Sequence, residues 1–529
     1  MFRKAILAAG LICAAPAHAE WHQATSTHFI MYSDGSPEEV REAAAKLEKF
    51  DTIIRARART NKPHSPVKLR VYLLRSMSAV EAIAGPGVGG FYMANERGPF
   101  LVGARRGPEM RYTQRTLVDR SPSWGPHVLQ HEYAHHFMLQ YFPVAYPPWL
   151  VEGFAEYFGM LDFVDENVIE LGHAPLFRVD TMREDWVPID ELLTAQTYED
   201  MREHGAAIYA EGWLLLHYAD NHPQRAKQLQ QYINRVASGL PYKQAAEEAF
   251  GSDLKTLDQE LRAYLRQGIK ALRLSLKPIE VGPIDVRPLT PGEEALLRTE
   301  ILASAGLPVV EAKQLVGNVR EKARQFPNDK AVLRLLTEVE RAAENDAEAT
   351  EAVKRWLSVA PQDPKALMHQ AELQVRKLVN EKSTDRAAWD AARALILKAN
   401  KIAPQDPEIL VSYYDSFQAA GELPPPGAQA ALMRAHNLVP QDDRLRQRVA
   451  MDFEARGMIE DAIFVITPAA NSPHSRKEDD PKRRAERERW WKKYRMAGEA
   501  YMETPREMLK RLQQKLVAGK TASAASPVS

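Results

Sequence analysis

The sequence predicts an α+β unit followed by an all-α array of helical repeats, and three observations carry that expectation. Between Trp21 and Ala104, β-prone runs surround a helical pattern. From about residue 209 onward, helical spacing takes over. Between about 310 and 467, a Pro-containing turn returns at nearly the period of helix–turn–helix repeats. A chain of 529 residues has room for several such units.

The first residues set the compartment. Arg3 and Lys4 precede an apolar run from Ala5 to Ala15, and Ala17-His-Ala19 offers a small-x-small cleavage site. This is the pattern of a secretory signal peptide covering 1–19, so a periplasmic or extracellular protein is expected. The run is shorter than the roughly 20 apolar residues a membrane span needs, and no other stretch is long enough. Cys13, the only cysteine, lies inside the leader, so the mature chain would carry neither disulfide nor cysteine metal ligand. Lys plus Arg equals Asp plus Glu at 70 each, which gives no global field for nucleic acid.

Thr27–Tyr32 reads as a strand, and Ser33-Asp-Gly-Ser-Pro37 as a turn that starts a helix through Ile54. Val67–Leu74 is a second strand. Phe91–Ala94 and Pro99–Ala104 form a hairpin around Asn95-Glu-Arg-Gly98. Helices are expected at 209–221, 224–237, 241–250 and 253–265. Between roughly Ser275 and Pro291 the chain becomes Pro-punctuated and short-stranded, which marks a connector.

The prolines at 327, 361, 404 and 440 are 34, 43 and 36 residues apart, three of them in Pro-Gln-Asp. Ala399 and Ala435 sit five residues before theirs, where Lys322 and Trp356 stand in the first two units. Phe417 with Gly421, and Phe453 with Gly457, keep step after theirs. These positions resemble tetratricopeptide repeats, which implies a protein partner bound by the array. The expected division is a leader at 1–19, an α+β unit at 20–270, a linker at 271–295 and repeats at 296–470. A charged helix at 471–517 and a disordered tail at 518–529 complete it.

The chemistry gathers between Gln130 and Gly159. His131-Glu132-x-x-His135 puts two imidazoles on one helix face, where both can ligate one ion. Glu132 beside them can act as general base on a water activated by that ion. A catalytic zinc takes three protein ligands, and Glu152 in Trp149-Leu-Val-Glu-Gly, opening the next helix, is the natural third. Glu156, one turn on, can orient a ligand histidine or serve as a surface carboxylate or salt-bridge partner. His136 points about 100° away from His135 and is not expected to ligate. His127, one turn before His131, can fall near the site, though it reads first as a polar helix-start residue.

His131-Glu-x-x-His135 followed by Trp149-Leu-x-Glu-Gly-x-Ala-Glu156 resembles the gluzincin metallopeptidases, most of all the peptidase-MA-like proteins, and is similar in motif to the M1 aminopeptidases. The resemblance spans about 20–270 and implies a zincin-like α+β catalytic domain. It also implies Zn2+ on His131, His135 and Glu152, peptide or protein substrates, and cleavage with Glu132 as base. A tyrosine that steadies the oxyanion in the M1 enzymes maps onto Tyr209 in Tyr209-Ala-Glu-Gly212, where Glu211 replaces their lysine. Their amine-binding Gly-x-Met-Glu-Asn motif is echoed only faintly at Gly90–Asn95. The strand near Phe100–Ala104 is expected to hold substrate by strand addition. The alternative is a repeat scaffold carrying a vestigial peptidase domain.

Overall fold

The computed structural model of the protein describes residues 20–106, 124–251, 254–472 and 503–525. The residues read as a leader, and Trp490 and Trp491 in the charged helix expected at 471–517, lie outside them. The first strand among the described residues, β1 (His22–Thr25), is one the sequence did not announce, and it folds back antiparallel on β2 (Phe29–Ser33). Ser36 caps α1 (Pro37–Arg57), and Glu39 returns the bond to the Ser36 N–H in a capping box. Next come β3 (Leu69–Ser76), parallel to β2, the short helix α2 (Met77–Ala84), and the expected hairpin of β4 (Gly90–Asn95) and β5 (Gly98–Arg106).

The sheet order is β4-β5-β3-β2-β1, closed by a later strand, so β4 is an edge. Side chains alternate across a strand. Leu69, Val71, Leu73 and Leu101 therefore pack with α1 in the main core, while Tyr72, Leu74, Phe100 and Val102 form a second core. Burial on both faces explains why Val71–Leu74 reads as a continuous apolar run.

Helices α3 (Trp124–Tyr141) and α4 (Pro148–Gly159) follow. All of α4 is buried except Phe154, which is why its sequence is apolar nearly all round. A hairpin of β6 (Asp162–Asp165) and β7 (Val168–Leu171) leads to α5 (Leu176–Glu184) and α6 (Ile189–Thr194). Four further helices are α7 (Ala207–Asn221), α8 (Pro223–Ala237), α9 (Tyr242–Phe250) and α10 (Lys255–Gln267).

The stretch read as a linker is stitched into both sheets. β8 (Leu272–Ser275) pairs with β7, and β9 (Asp285–Pro288) pairs with β1. Four-residue edge strands tolerate this punctuation because Pro288 stands at a strand end, where no ladder donor is needed.

The second half is a tetratricopeptide-like array of antiparallel helix pairs. In order these are α11 (Pro291–Ser304) with α12 (Val309–Gln325), α13 (Lys330–Ala342) with α14 (Asp346–Val359), and α15 (Pro364–Asn380) with α16 (Arg386–Ile402). Then come α17 (Pro407–Ala419) with α18 (Pro426–Leu438), and α19 (Asp443–Ala455) with α20 (Ile459–Ala470). The recurring turns are helix starts: Asp329, Asp363, Asp406 and Asp442 each cap the first helix of a pair with a side-chain oxygen. Gly421 and Gly457 supply positive φ (75° and 77°) at the turn inside a pair. Glu344 (70°) and Lys382 (49°) take that place in two earlier pairs, which hides the repeat from a glycine count. Leu297 and Ile301 of α11 join the second core of the sheet, tying the array to the first unit.

The last helix, α21 (Pro505–Ala525), runs through much of the segment read as a disordered tail. Met508 and Leu512, both fully buried, dock its first part, which belongs to the charged helix expected at 471–517, against the core around α20; helix continues through 518–525, where a disordered tail was expected. A short apolar stripe within a charged run carries that docking.

Candidate metal centre

The two halves of the Gln130–Gly159 stretch meet because α3 and α4 pack side by side. α4 is also held tightly against α7. A Cβ on Gly153 would stand 2.4 Å from the Gly212 carbonyl carbon, and one on Gly212 would stand 2.3 Å from the Trp149 oxygen. Only glycine permits this approach. It brings Glu152 and Tyr209, each close in sequence to one of these glycines, to the same side as His131 and His135.

His131 Nε2 and His135 Nε2 are 3.1 Å apart. Glu152 Oε2 is 3.4 Å from each of them. Donors held at about 2.0–2.1 Å around a tetrahedral zinc stand roughly 3.3–3.4 Å apart, so this triangle fits that ion. The donor types agree, two imidazoles and one carboxylate. Burial pushes the Glu152 carboxyl up, but His135 and His131 outweigh it and hold the group well below its usual range. Burial pulls the His135 imidazole down, and the Glu152 carboxylate lifts it above its ordinary value.

Glu132 follows His131 on α3 and lies against β4, its Cγ 3.3 Å from where a Cβ on Gly90 would be. Burial raises its carboxyl, with His131, His135 and the main-chain N–H of Tyr92 acting in the opposite direction. Tyr209 lies with its ring parallel to that of His131, centroids 6.2 Å apart with planes at 18°. The guanidinium of Arg178 sits over the Tyr209 ring, 4.4 Å from its centroid.

Glu156 is 1% exposed, so it is not a surface carboxylate. Its Oε1 accepts from Arg178 at 2.8 and 3.1 Å, and its Oε2 faces His127 Nε2 at 3.5 Å. Burial raises it, and His127, His131 and Arg178 bring it down to about 2. His127 stands in the first turn of α3 and is buried against the end of α4, beside His131 and Glu156. His136 turns away from the triangle, as expected, and its Nδ1 lies 3.2 Å from the Tyr92 hydroxyl.

Tyr198 was invisible to sequence reasoning. Its hydroxyl donates a short hydrogen bond to Glu152 Oε1, the oxygen turned away from the histidines. It lies in the α6–α7 loop, 46 residues from Glu152, with no spacing to betray it. Arg178 was missed for the same reason. The substrate-strand expectation also needs correcting: β5 has β3 on one side and β4 on the other, so the open edge belongs to β4.

Two other groupings of ligand-type side chains occur among the described residues. His127, His131 and Glu156 share a histidine with the triangle. In the other, Asp51 already accepts from Arg55 Nε at 3.0 Å and from the Tyr133 hydroxyl. There His28 and His64 stack at 3.7 Å with planes 13° apart, so their lone pairs run alongside each other instead of converging.

No protein-family model matches the chain. No curated protein matches it either. Among solved structures, a thermophilic TPR protein of Thermus thermophilus is 17% identical with a TM-score of 0.30, covering 38% of this chain and 98% of its own. The MamA protein is 12% identical with a TM-score of 0.25, covering 34% and 87%. PilW, a widely conserved type IV pilus biogenesis factor, is 14% identical with a TM-score of 0.28, covering 42% and 91%. At such scores these likenesses carry no functional weight, and the repeat architecture rests on the helix pairing itself.

Proposed function

We propose that this chain is an exported zinc-dependent metallopeptidase whose helical repeats engage a protein partner or substrate. The triangle of His131, His135 and Glu152, with Glu132 next to it on α3, is the observation that carries the reading. These three residues would hold the ion. When bound, zinc supplies Lewis acidity, polarising a carbonyl and acidifying water. Glu132 takes a proton from the attacking water and passes it to the leaving amine; burial raises its carboxyl, which makes the carboxylate a stronger base. Tyr209, held between His131 and Arg178, donates to the developing oxyanion. The open edge of β4 beside Glu132 accepts an extended peptide through its main chain. Among the described residues no helix is long and apolar enough to cross a membrane.

The decisive experiment measures metal content and peptide-library cleavage for the mature chain and for Glu132→Gln. The expected result is stoichiometric zinc in both, with cleavage reduced by about 10²–10⁴-fold in the variant. A chain that purifies without zinc and cleaves nothing after zinc is added would favour the rival reading, a repeat scaffold with an inactive peptidase domain.

A further inference from the structure

The tip of the β4–β5 hairpin does not end in solvent. Asn95 Nδ2 donates to the Ser304 carbonyl at the end of α11, at 2.7 Å. Arg97 donates to the Ala303 carbonyl and to Glu338 of α13, both at 3.0 Å, and lies 3.5 Å from Glu408 of α17. Glu96 faces Arg448 of α19 at 3.3 Å. These contacts come from the first helices of four pairs, α11 giving two of them, so four helices grip one four-residue turn.

The acids that meet Arg97 are themselves held in place. Glu338 also accepts from Arg334 at 2.8 Å. Glu408 accepts from Lys365 at 2.7 Å. Arg97, Glu338 and Glu408 all have side chains at most 20% exposed. A buried cation answered by two carboxylates in a cage of this kind is costly to break.

A second link lies farther along the same strand. Gln441, in the Pro-Gln-Asp turn before α19, donates through Nε2 to the Tyr92 hydroxyl at 3.0 Å and to Gln140 Oε1 of α3 at 2.8 Å. The Tyr92 hydroxyl in turn meets His136 Nδ1 on α3 at 3.2 Å. The Tyr92 main-chain N–H faces the Glu132 carboxylate. One residue of β4 thus joins a repeat turn to both the general-base candidate and its helix.

We infer that the repeat face formed by α11, α13, α17 and α19 is a built-in clamp for strand β4. In this arrangement Arg97 and Gln441 are positioning residues that hold the substrate-accepting edge against α3. The face is filled by the chain's own hairpin, so an outside partner must use another surface of the array. The effect on cleavage rests on the peptidase reading; the clamp itself does not.

Hydrogen exchange by mass spectrometry on the full mature chain tests this, comparing the parent with Arg97→Ala, Arg97→Lys and Gln441→Ala. Zinc content, melting temperature and peptide kinetics are taken on the same preparations. Amides of 90–95 are expected to exchange about tenfold faster or more in Arg97→Ala and measurably faster in Gln441→Ala, with those of α3 unchanged and zinc retained. Arg97→Lys, which keeps the charge but not the fork, falls between. The KM for peptide rises while kcat changes little. Parent-like exchange at 90–95 in a Gln441→Ala and an Arg97→Lys chain that both melt like the parent overturns the clamp, and these two variants decide if Arg97→Ala fails to fold. A loss of kcat at constant KM overturns the positioning role of Arg97 and Gln441 in cleavage. A parent that cleaves no peptide sinks the peptidase reading, while the exchange pattern still decides the clamp.

Discussion

Glu152 in the candidate metal centre and Glu338 in the repeats are both buried carboxylates, 5% and 6% exposed, yet they are stabilised in opposite ways. Glu338 lies between two guanidiniums, Arg97 at 3.0 Å and Arg334 at 2.8 Å, so permanent charge of the chain answers it. Glu152 faces two imidazoles at 3.4 Å and a tyrosine hydroxyl, none of which carries a fixed charge. The first arrangement is closed and holds helices together. In the second, donor atoms of ligand type converge on one point, as metal chemistry needs. Burial of a carboxylate says little about function until its partners are identified.

Glu338→Ala should break the closed arrangement most severely. It leaves Arg97 and Arg334 without a shared acid, and losing one partner of a buried pair costs about 3–5 kcal/mol. Urea denaturation should show that loss, while zinc content of the folded fraction stays at the parent level. Glu152→Ala should do the reverse, abolishing zinc binding with a smaller change in metal-free stability. Similar outcomes for the two variants would erase the distinction.

Glu211 supplies a third way to bury a carboxylate, with no cation bonded to it. Its Oε1 accepts from the Val187 N–H at 2.8 Å, and burial pushes its carboxyl up from 4.5 to about 8. The folded-state value lies above the unfolded one, so the folded chain keeps a proton that the unfolded chain releases between about pH 4.5 and 8. Stability therefore falls as pH rises through that window, by at most ~1.4 kcal/mol per unit. Glu211→Gln should match the parent near the acid end and exceed it by on the order of 2–4 kcal/mol at the alkaline end. Denaturant midpoints measured across the window check this; a constant offset would show that the carboxyl is ionised throughout.

The legibility of these features in the sequence follows their range. His131, His135 and Glu152 stand on two successive helices, and the Asp caps and prolines recur locally, so spacing alone reveals them. Ser36 and Glu39 announce α1 for the same reason. β1 stayed hidden because it is four residues long and gains meaning only from its partner; β9 falls in the stretch read as short-stranded, and only its pairing with β1 is new. Arg97 reads as one more turn residue, since its acids lie 241 residues away and beyond. Nor does Glu211 reveal its burial, because an acidic residue on a helix ordinarily faces water. Long-range polar partners leave no periodic trace.

Tyr198 is the subtlest of these and gives the finest test. Its hydroxyl bonds Glu152 Oε1 while Oε2 faces the histidines, so it fixes which oxygen is presented. Tyr198→Phe keeps the ring and removes only that bond. Partners of this kind typically contribute about 10–100-fold in metal affinity, and zinc affinity should weaken by that factor with little change in metal-free stability. Tyr209 touches the triangle through its ring over His131, so Tyr209→Phe should leave zinc affinity within about twofold of the parent. Competition titration against a chelator of known affinity measures both. Equal losses would mean that the site senses its surroundings as a whole, whereas a loss confined to Tyr198→Phe would show that the open arrangement depends on one orienting bond to the carboxylate, in contrast to the redundant cations around Glu338.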